Sequence, residues 1–428
     1  MIKNAFLLSL FIFCFLTSNA QIPDSINPWE ASNRVYRENI KSVQFYREGW
    51  EMSPPLLKLN TSEKLRLVFD DLDADGKEFL FTIVHCDYLW NPSGLEEYKY
   101  IDGYYEDYIY DLAYSQNTIV PYTHYELLFP TDDMKPLIAG NYILKVYYPD
   151  PDSVYFTRRF YVLDNKVKIE GNVKQPTIIE NRKYKQEIDF TLTTSNYQIL
   201  NPYSDLKVVI MQNGRWDNAI TNLKPKMAIN GKYDYNYDAE NVMDGGNEFR
   251  ALDIKSLEYN TESIASIEYQ GYDGYSVTLR PAERKTFTVY KTEEDINGQF
   301  IIKTEDQFET ATAAEYVNVH FFLPYPVPML DGTIYILGGL TDWNFNEYSA
   351  MEYDYKRQGY SKTMLLKQGY YNYWYVMKYD KQAVGEVSFI EGNHWETENE
   401  YTIYVYNREH GGEYDKLVGV EQLNSMIK

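Results

Sequence analysis

SDLKVVIMQNGRWDNAI, residues 204–220, decides how this chain is read. Leu206 to Met211 is apolar apart from Lys207, rich in β-branched residues and closed by Asn213 and Gly214. It therefore reads as a buried strand that leaves through a tight turn. Arg215, Trp216 and Asp217 follow that turn and are expected at a loop tip, either packed under a neighbouring domain or anchoring a partner. Further on, Gly245, Gly246 and Asn247 mark a second turn that tolerates positive φ. Neither turn carries a nucleophile beside a base, a phosphate cradle or a metal cluster, so the stretch reads as scaffold and recognition surface.

Working outward, the text on both sides is short strands separated by turn residues. Leu65–Phe69, Phe79–Val84, Tyr125–Phe129, Tyr142–Tyr148 and Arg159–Leu163 have strand length, with Pro54, Pro55, Gly76, Gly94, Pro130 and Gly140 between them. No helical period of 3.6 stands out, which predicts an antiparallel immunoglobulin-like β-sandwich over 21–165. Lys166 to Gln175 is the expected joint to a second sandwich, 166–313, built on Glu187–Thr193, the Leu206 run, Ser276–Leu279 and Lys285–Tyr290. Thr304 to Ala314 is polar and small and is expected to link to a third unit, 314–428. That unit runs through GTIYILGGLTDWNFNEYSAMEYD (332–354) and MLLKQGYYNYWYVM (364–377), an order similar to the early-set sandwiches that serve as starch- and glycogen-binding modules. The expected architecture is all-β, with three sandwiches in series.

Composition narrows the function. Lys3 followed by the apolar run Ala5 to Leu16, with Ser18 and Ala20 before Gln21, reads as a secretory signal peptide over 1–20. The run is too short to span a membrane, and no other segment approaches the roughly 18 apolar residues required. With Cys14 in that run, Cys86 is the one cysteine expected to remain, and a core thiol is the expected reading. A formal net charge of −22 argues against nucleic acid, whose phosphates need clustered Lys and Arg, and leaves a basic protein surface or a cation as the partner. The 44 tyrosines, many alternating with polar residues, fit half-buried strands.

NGRWDNAI, GGNEFR (245–250) and SVQFYREGWEMSPPLLKLN (42–60) together resemble the plug protein family of the type IX secretion system. The resemblance runs from about Asn39 to about Val420. It implies a periplasmic protein that docks at the inner mouth of a very large outer-membrane translocon barrel and closes it while no cargo passes. It brings no catalytic motif, cofactor or metal ligands.

Several local patterns fall short of a metal or catalytic site. Asp71, Asp73, Asp75 and Gly76 copy the opening of an EF-hand loop, but the twelfth position is Thr82 instead of Glu, so an acidic hairpin turn is expected. The five histidines, 85, 124, 320, 394 and 410, form no pair at ligand spacing. His85 and Cys86 are neighbours on a strand and should point to opposite faces. No G-x-S-x-G surrounds a serine, and no enzyme activity, cofactor or small-molecule substrate is expected. Trp374 lies mid-strand and is expected in the core, whereas Trp343 follows Gly338, Gly339 and Asp342 in a loop and is the candidate for stacking on a sugar or touching a partner. The alternative function is accordingly a glycan-binding protein using the third unit. Charged runs such as RPAERK (280–285) break the rhythm of a membrane barrel.

Overall fold

The structure, a computed structural model, describes residues 29–305 and 310–426. The expected signal segment, with Cys14, lies outside them. Six main sheets form three sandwiches. Sheet A takes the strands Ile40–Arg47, Leu65–Asp71, Thr123–Phe129 and Asp111–Tyr114 in that spatial order. Sheet B runs Arg34–Val35, Val154–Leu163, Gly140–Tyr147, Leu80–Cys86 and Asp107–Tyr108, with Leu56–Lys58 parallel to Val154–Leu163. In Leu65–Asp71 every second side chain, Leu65, Leu67 and Phe69, enters the core between the two sheets, where it meets Phe81, Leu144, Phe156 and Phe160 of sheet B. Period-two alternation is what a sheet with one buried face demands.

The second sandwich does not follow the expected boundaries. The Leu206 run does form a buried strand, Leu206–Gln212, but its partner is Glu400–Asn407, which in turn pairs with Lys416–Asn424 to make sheet C. Sheet D faces it with Lys168–Lys174, Lys185–Thr193, Lys232–Asp234 and Met227–Ile229. The core between them mixes Ile188, Phe190 and Leu192 with Val208, Ile210, Ile403 and Val405. A unit expected within 166–313 is thus completed by strands beyond residue 400. The physical reason is that the Leu206 strand is apolar on both faces and needs a neighbour as apolar as itself, which Glu400–Asn407 supplies.

Inserted between these parts is the third sandwich. Sheet E orders Ile264–Tyr269, Tyr275–Leu279, Tyr316–Pro324, Gly359–Lys367 and Glu352–Asp354. Sheet F centres on the long strand Gly369–Tyr379, flanked by Arg250–Asp253, Phe300–Ile302 and Gly332–Leu337. Val277, Val319, Phe321, Ile336, Tyr373 and Tyr375 are among the side chains that fill the space between them. Ser276–Leu279 is therefore a strand, as its text predicts, but of this third unit. Lys285–Tyr290 is not a strand, and Phe287 and Val289, which gave it the look of one, are exposed.

Sheets B and C also pack on each other through their outer faces, so A, B, C and D stack as four layers. Ile143, Tyr161 and Leu163 of sheet B lie against Val209, Met211, Tyr404 and Tyr406 of sheet C, and Cys86 is in the same cluster. Burial pushes the Cys86 thiol up to about 12, a core thiol held neutral. His85 turns to the opposite face, its ring edge-on to Tyr142 at 5.0 Å.

Candidate functional site: joints and an exposed tyrosine edge

Two kinds of feature distinguish this molecule from three beads on a string. One is the set of polar and aromatic clamps between sandwiches. The other is a solvent-facing row of tyrosines on the first sandwich.

The turn after Leu206–Gln212 builds the first clamp. Asn213 and Gly214 both take positive φ, 51° and 75°, and turn the chain back so that Arg215 points inward. Arg215 is only 3% exposed, and its guanidinium is held bidentately by Asp217, Nε to Oδ1 at 2.9 Å and Nη2 to Oδ2 at 2.7 Å. The same pair reaches the third sandwich: Arg215 donates to the Gly385 carbonyl at 3.3 Å, and the Gly385 N–H donates to Asp217 at 3.1 Å. The Arg215 cation also lies 5.9 Å from the Trp374 ring. Trp216 turns the other way, toward the first sandwich, where Arg159 lies between its ring and that of Trp90, 4.9 Å from one and 4.4 Å from the other. One turn of the second sandwich thereby grips both neighbours.

Trp343 takes a left-handed φ of 58° and packs edge-on against Phe249 and Trp374 at 6.0 and 6.5 Å. Phe249 in turn stacks on Trp374 at 3.7 Å. Trp374 is a core residue, and its indole N–H donates to the Asn247 carbonyl at 3.0 Å. Trp343 is accordingly one wall of an aromatic cluster, not a free platform for a sugar ring. Beside it, Asp342 pairs with the buried Arg158 of sheet B at 3.2 Å, tying the third sandwich to the first. Arg215, Trp216 and Asp217 thus form joints, the first of the two alternatives expected for that turn, while Trp343 packs within its own sandwich.

A second clamp joins sheet A to sheet E. Asp70 lies on the outer face of sheet A and accepts from Lys367 Nζ and the Tyr316 hydroxyl, both at 2.6 Å, with His124 Nδ1 2.7 Å from its other oxygen. The described end of the segment expected to link to the third unit is part of this joint. Thr310–Ala313 is a short helix whose Ala311 carbonyl accepts from Lys367 and from the Tyr122 hydroxyl, at 2.8 and 3.2 Å.

Asp71, Asp73 and Asp75 do bring ligand oxygens within 4.8 Å of one another. Lys77 lies among them, its ammonium donating to all three at 2.6, 2.8 and 2.6 Å. Burial works against that charge, but three carboxylates outweigh it and hold the Lys77 pKa well above its usual value. The acidic turn carries its own cation.

The tyrosine edge was missed from sequence. Residues 97–114 close the side of the first sandwich, contributing Asp107–Tyr108 to sheet B and Asp111–Tyr114 to sheet A. Tyr100, Ile101 and Ile109 point into the core and anchor the segment. Tyr98, Tyr104, Tyr105, Tyr108, Tyr110 and Tyr114 point out, Tyr104 and Tyr110 being 67% and 75% exposed. Half-buried strands, the expectation for tyrosine-rich text, do not describe this stretch. The density of tyrosine in Tyr98 to Tyr114 was the available signal.

Among the described residues no helix is long and apolar enough to cross a membrane. Curated proteins give no match to the chain. A solved crystal structure of a hypothetical protein from Parabacteroides merdae is similar over 92% of this chain and 100% of its own, with a TM-score of 0.90 and 34% sequence identity. Residues 40–164, which carry sheet A, most of sheet B and the tyrosine edge, match the family described as the type 9 secretion system plug protein first domain. The resemblance read from the sequence thus stands, and the chain belongs to the type IX secretion system plug protein family.

Proposed function

We propose that this protein is a periplasmic accessory of type IX secretion that docks on the periplasmic opening of an outer-membrane translocon barrel and closes it while no cargo passes. The observation that carries the reading is mechanical: each of the three sandwiches is clamped to both others, through Trp216 with Arg159, Arg215 with Gly385, Arg158 with Asp342 and Asp70 with Lys367. A chain of hinged beads would let solutes past, whereas a body locked at every joint occupies a fixed volume.

The dimensions agree. A compact body of this length has a radius of gyration of about 21 Å and hence a width of about 55 Å. Barrels of up to 36 strands are known, and at ordinary strand spacing and tilt such a barrel is about 70 Å across between backbones. Side chains narrow that to nearly the width of the block. Obstruction needs no chemistry, which fits a family role as a non-catalytic accessory of secretion. The formal net charge of −22 favours a basic mouth, with fast, salt-sensitive docking.

Gentle affinity purification from detergent-solubilised outer membrane tests the reading. A large barrel protein should come with the tagged chain, and deletion should leave the outer envelope permeable to small dyes. A chain that travels alone, together with an envelope as tight as before, would overturn it.

A further inference from the structure

The outer face of sheet B is covered by sheet C at one end only. At the other end it forms the floor of a cleft of about 650 Å³, with Thr82, Lys145 and Tyr147 below and the tyrosine edge as its wall. Tyr104, Tyr105, Tyr108 and Tyr110 supply the aromatic lining. Glu97, Glu106, Asp107 and Asp133 supply four carboxylates against the single ammonium of Lys145.

This wall is held in place. The Tyr104 N–H donates to the Asp133 carbonyl at 2.7 Å, and the Thr82 hydroxyl donates to the Tyr105 carbonyl at 2.6 Å. The Tyr147 hydroxyl donates to Glu106 at 2.7 Å, fixing one carboxylate over the floor. Tyr108 and Tyr110 flank the buried Ile109, with their rings 5.9 Å apart. The cleft already treats a cation in the way its composition implies, since Lys145 Nζ lies 5.4 Å from the centre of the Tyr147 ring. Tyrosine faces backed by carboxylates attract ammonium and guanidinium groups through the ring quadrupole and charge together.

We propose that this cleft is a recognition site for lysine and arginine side chains carried by an extended segment of the protein on which the chain docks. The proposal rests on the docking reading for its partner and on the cleft itself for its chemistry. Charge complementarity selects the occupant: a chain this acidic, with four carboxylates around one aromatic hollow, selects a basic segment over an acidic or neutral one. Asp107–Tyr108, which lines the cleft, is an edge strand of sheet B, so an extended segment can lie along it.

The test uses the full chain and a fluorescent peptide of alternating arginine and threonine, followed by anisotropy. Binding should saturate, and Y104A/Y110A should weaken it about tenfold while Y272A, at an exposed tyrosine far along the chain, leaves it unchanged. Glu106→Gln should also weaken binding and flatten its salt dependence. An alternating glutamate–threonine peptide should not bind, and spermidine should compete only weakly. Equal binding by Y104A/Y110A, or preference for a neutral oligosaccharide such as maltoheptaose, would overturn the site. The two readings fail separately: if the parent recovers the barrel protein but Y104A/Y110A binds the peptide as tightly as the parent does, the site is refuted and docking stands. If the parent binds the peptide but recovers no barrel, docking is refuted and the site stands.

Discussion

Lys367 and Asp70 meet across the boundary between the third and first sandwiches, Nζ to Oδ2 at 2.6 Å, with both side chains 1% exposed. Removing one member leaves the other a buried charge without its partner, so Lys367→Met should destabilise the chain by about 3 to 5 kcal/mol. Pairing Asp70→Leu with Lys367→Met should restore much of that loss, because no charge is then left buried. Denaturant melts of the single and double variants measure both. Burial opposes ionisation of Asp70, but Lys367 and His124 outweigh it and hold its carboxyl below the usual range. A depressed carboxylate contributes stability above its unfolded pKa of about 4 and loses it as the pH falls further, so this joint should loosen in acid.

Glu248 behaves in the opposite sense. Burial raises its pKa to about 7, and Oε2 has no hydrogen-bond partner, although Oε1 accepts from the Glu398 N–H at 3.1 Å and from the Tyr290 hydroxyl. A raised carboxyl contributes stability below its unfolded pKa and loses it as the pH climbs through the folded value. Melting temperature should therefore fall between about pH 5 and pH 8. Glu248→Gln should raise it by a few degrees near pH 8 and change little near pH 5. Thermal melts at the two pH values decide the matter; an equal shift at both would remove Glu248 as the cause.

Arg215→Lys keeps the charge but loses the fork that Asp217 holds. A loss of about 1.5 to 3 kcal/mol is expected, with the loop around Gly385 becoming open to limited proteolysis. Unchanged cleavage would mean that the Gly385 contact contributes nothing to the joint.

Lys77→Gln would leave Asp71, Asp73 and Asp75 around an uncharged side chain. The variant should melt lower than the parent in calcium-free buffer and recover with millimolar calcium. The parent, whose ammonium already lies among the three carboxylates, should show no calcium-dependent shift. Differential scanning fluorimetry with and without chelator measures both.

How far the residues disclosed this structure depends on which interactions were local. Leu65–Phe69 alternates along its own length, so its strand and buried face were readable without knowledge of the rest. The Leu206 run was equally readable as a strand, but its neighbour lies nearly 200 residues away, and periodicity names no partner. For that reason, the expected boundaries failed where sheet C draws on both ends of the 204–424 stretch. Lys285–Tyr290 shows the reverse error: its alternation is genuine, but Phe287 and Val289 have no second face to cover. Arg215, Trp216 and Asp217 were located correctly as residues delivered by a turn. Whether such a tip meets solvent or a neighbouring sandwich is settled by tertiary packing, which no local pattern encodes. Gly245 illustrates the same limit, since a Cβ there would fall 2.0 Å from the carbonyl oxygen of His394, a close approach set by chain nearly 150 residues downstream.

Sheet C has a consequence for biogenesis. Because Glu400–Asn407 and Lys416–Asn424 provide two of its three strands, the layer that opens at Leu206 stays unfinished until the last part of the chain has emerged. An emerging chain can complete its first sandwich early, then must hold the Leu206 strand without the strand it pairs with for nearly the remaining half of its length. A chaperone would find its client in that interval, and a product truncated before residue 400 would be marked for degradation even with its first 165 residues intact.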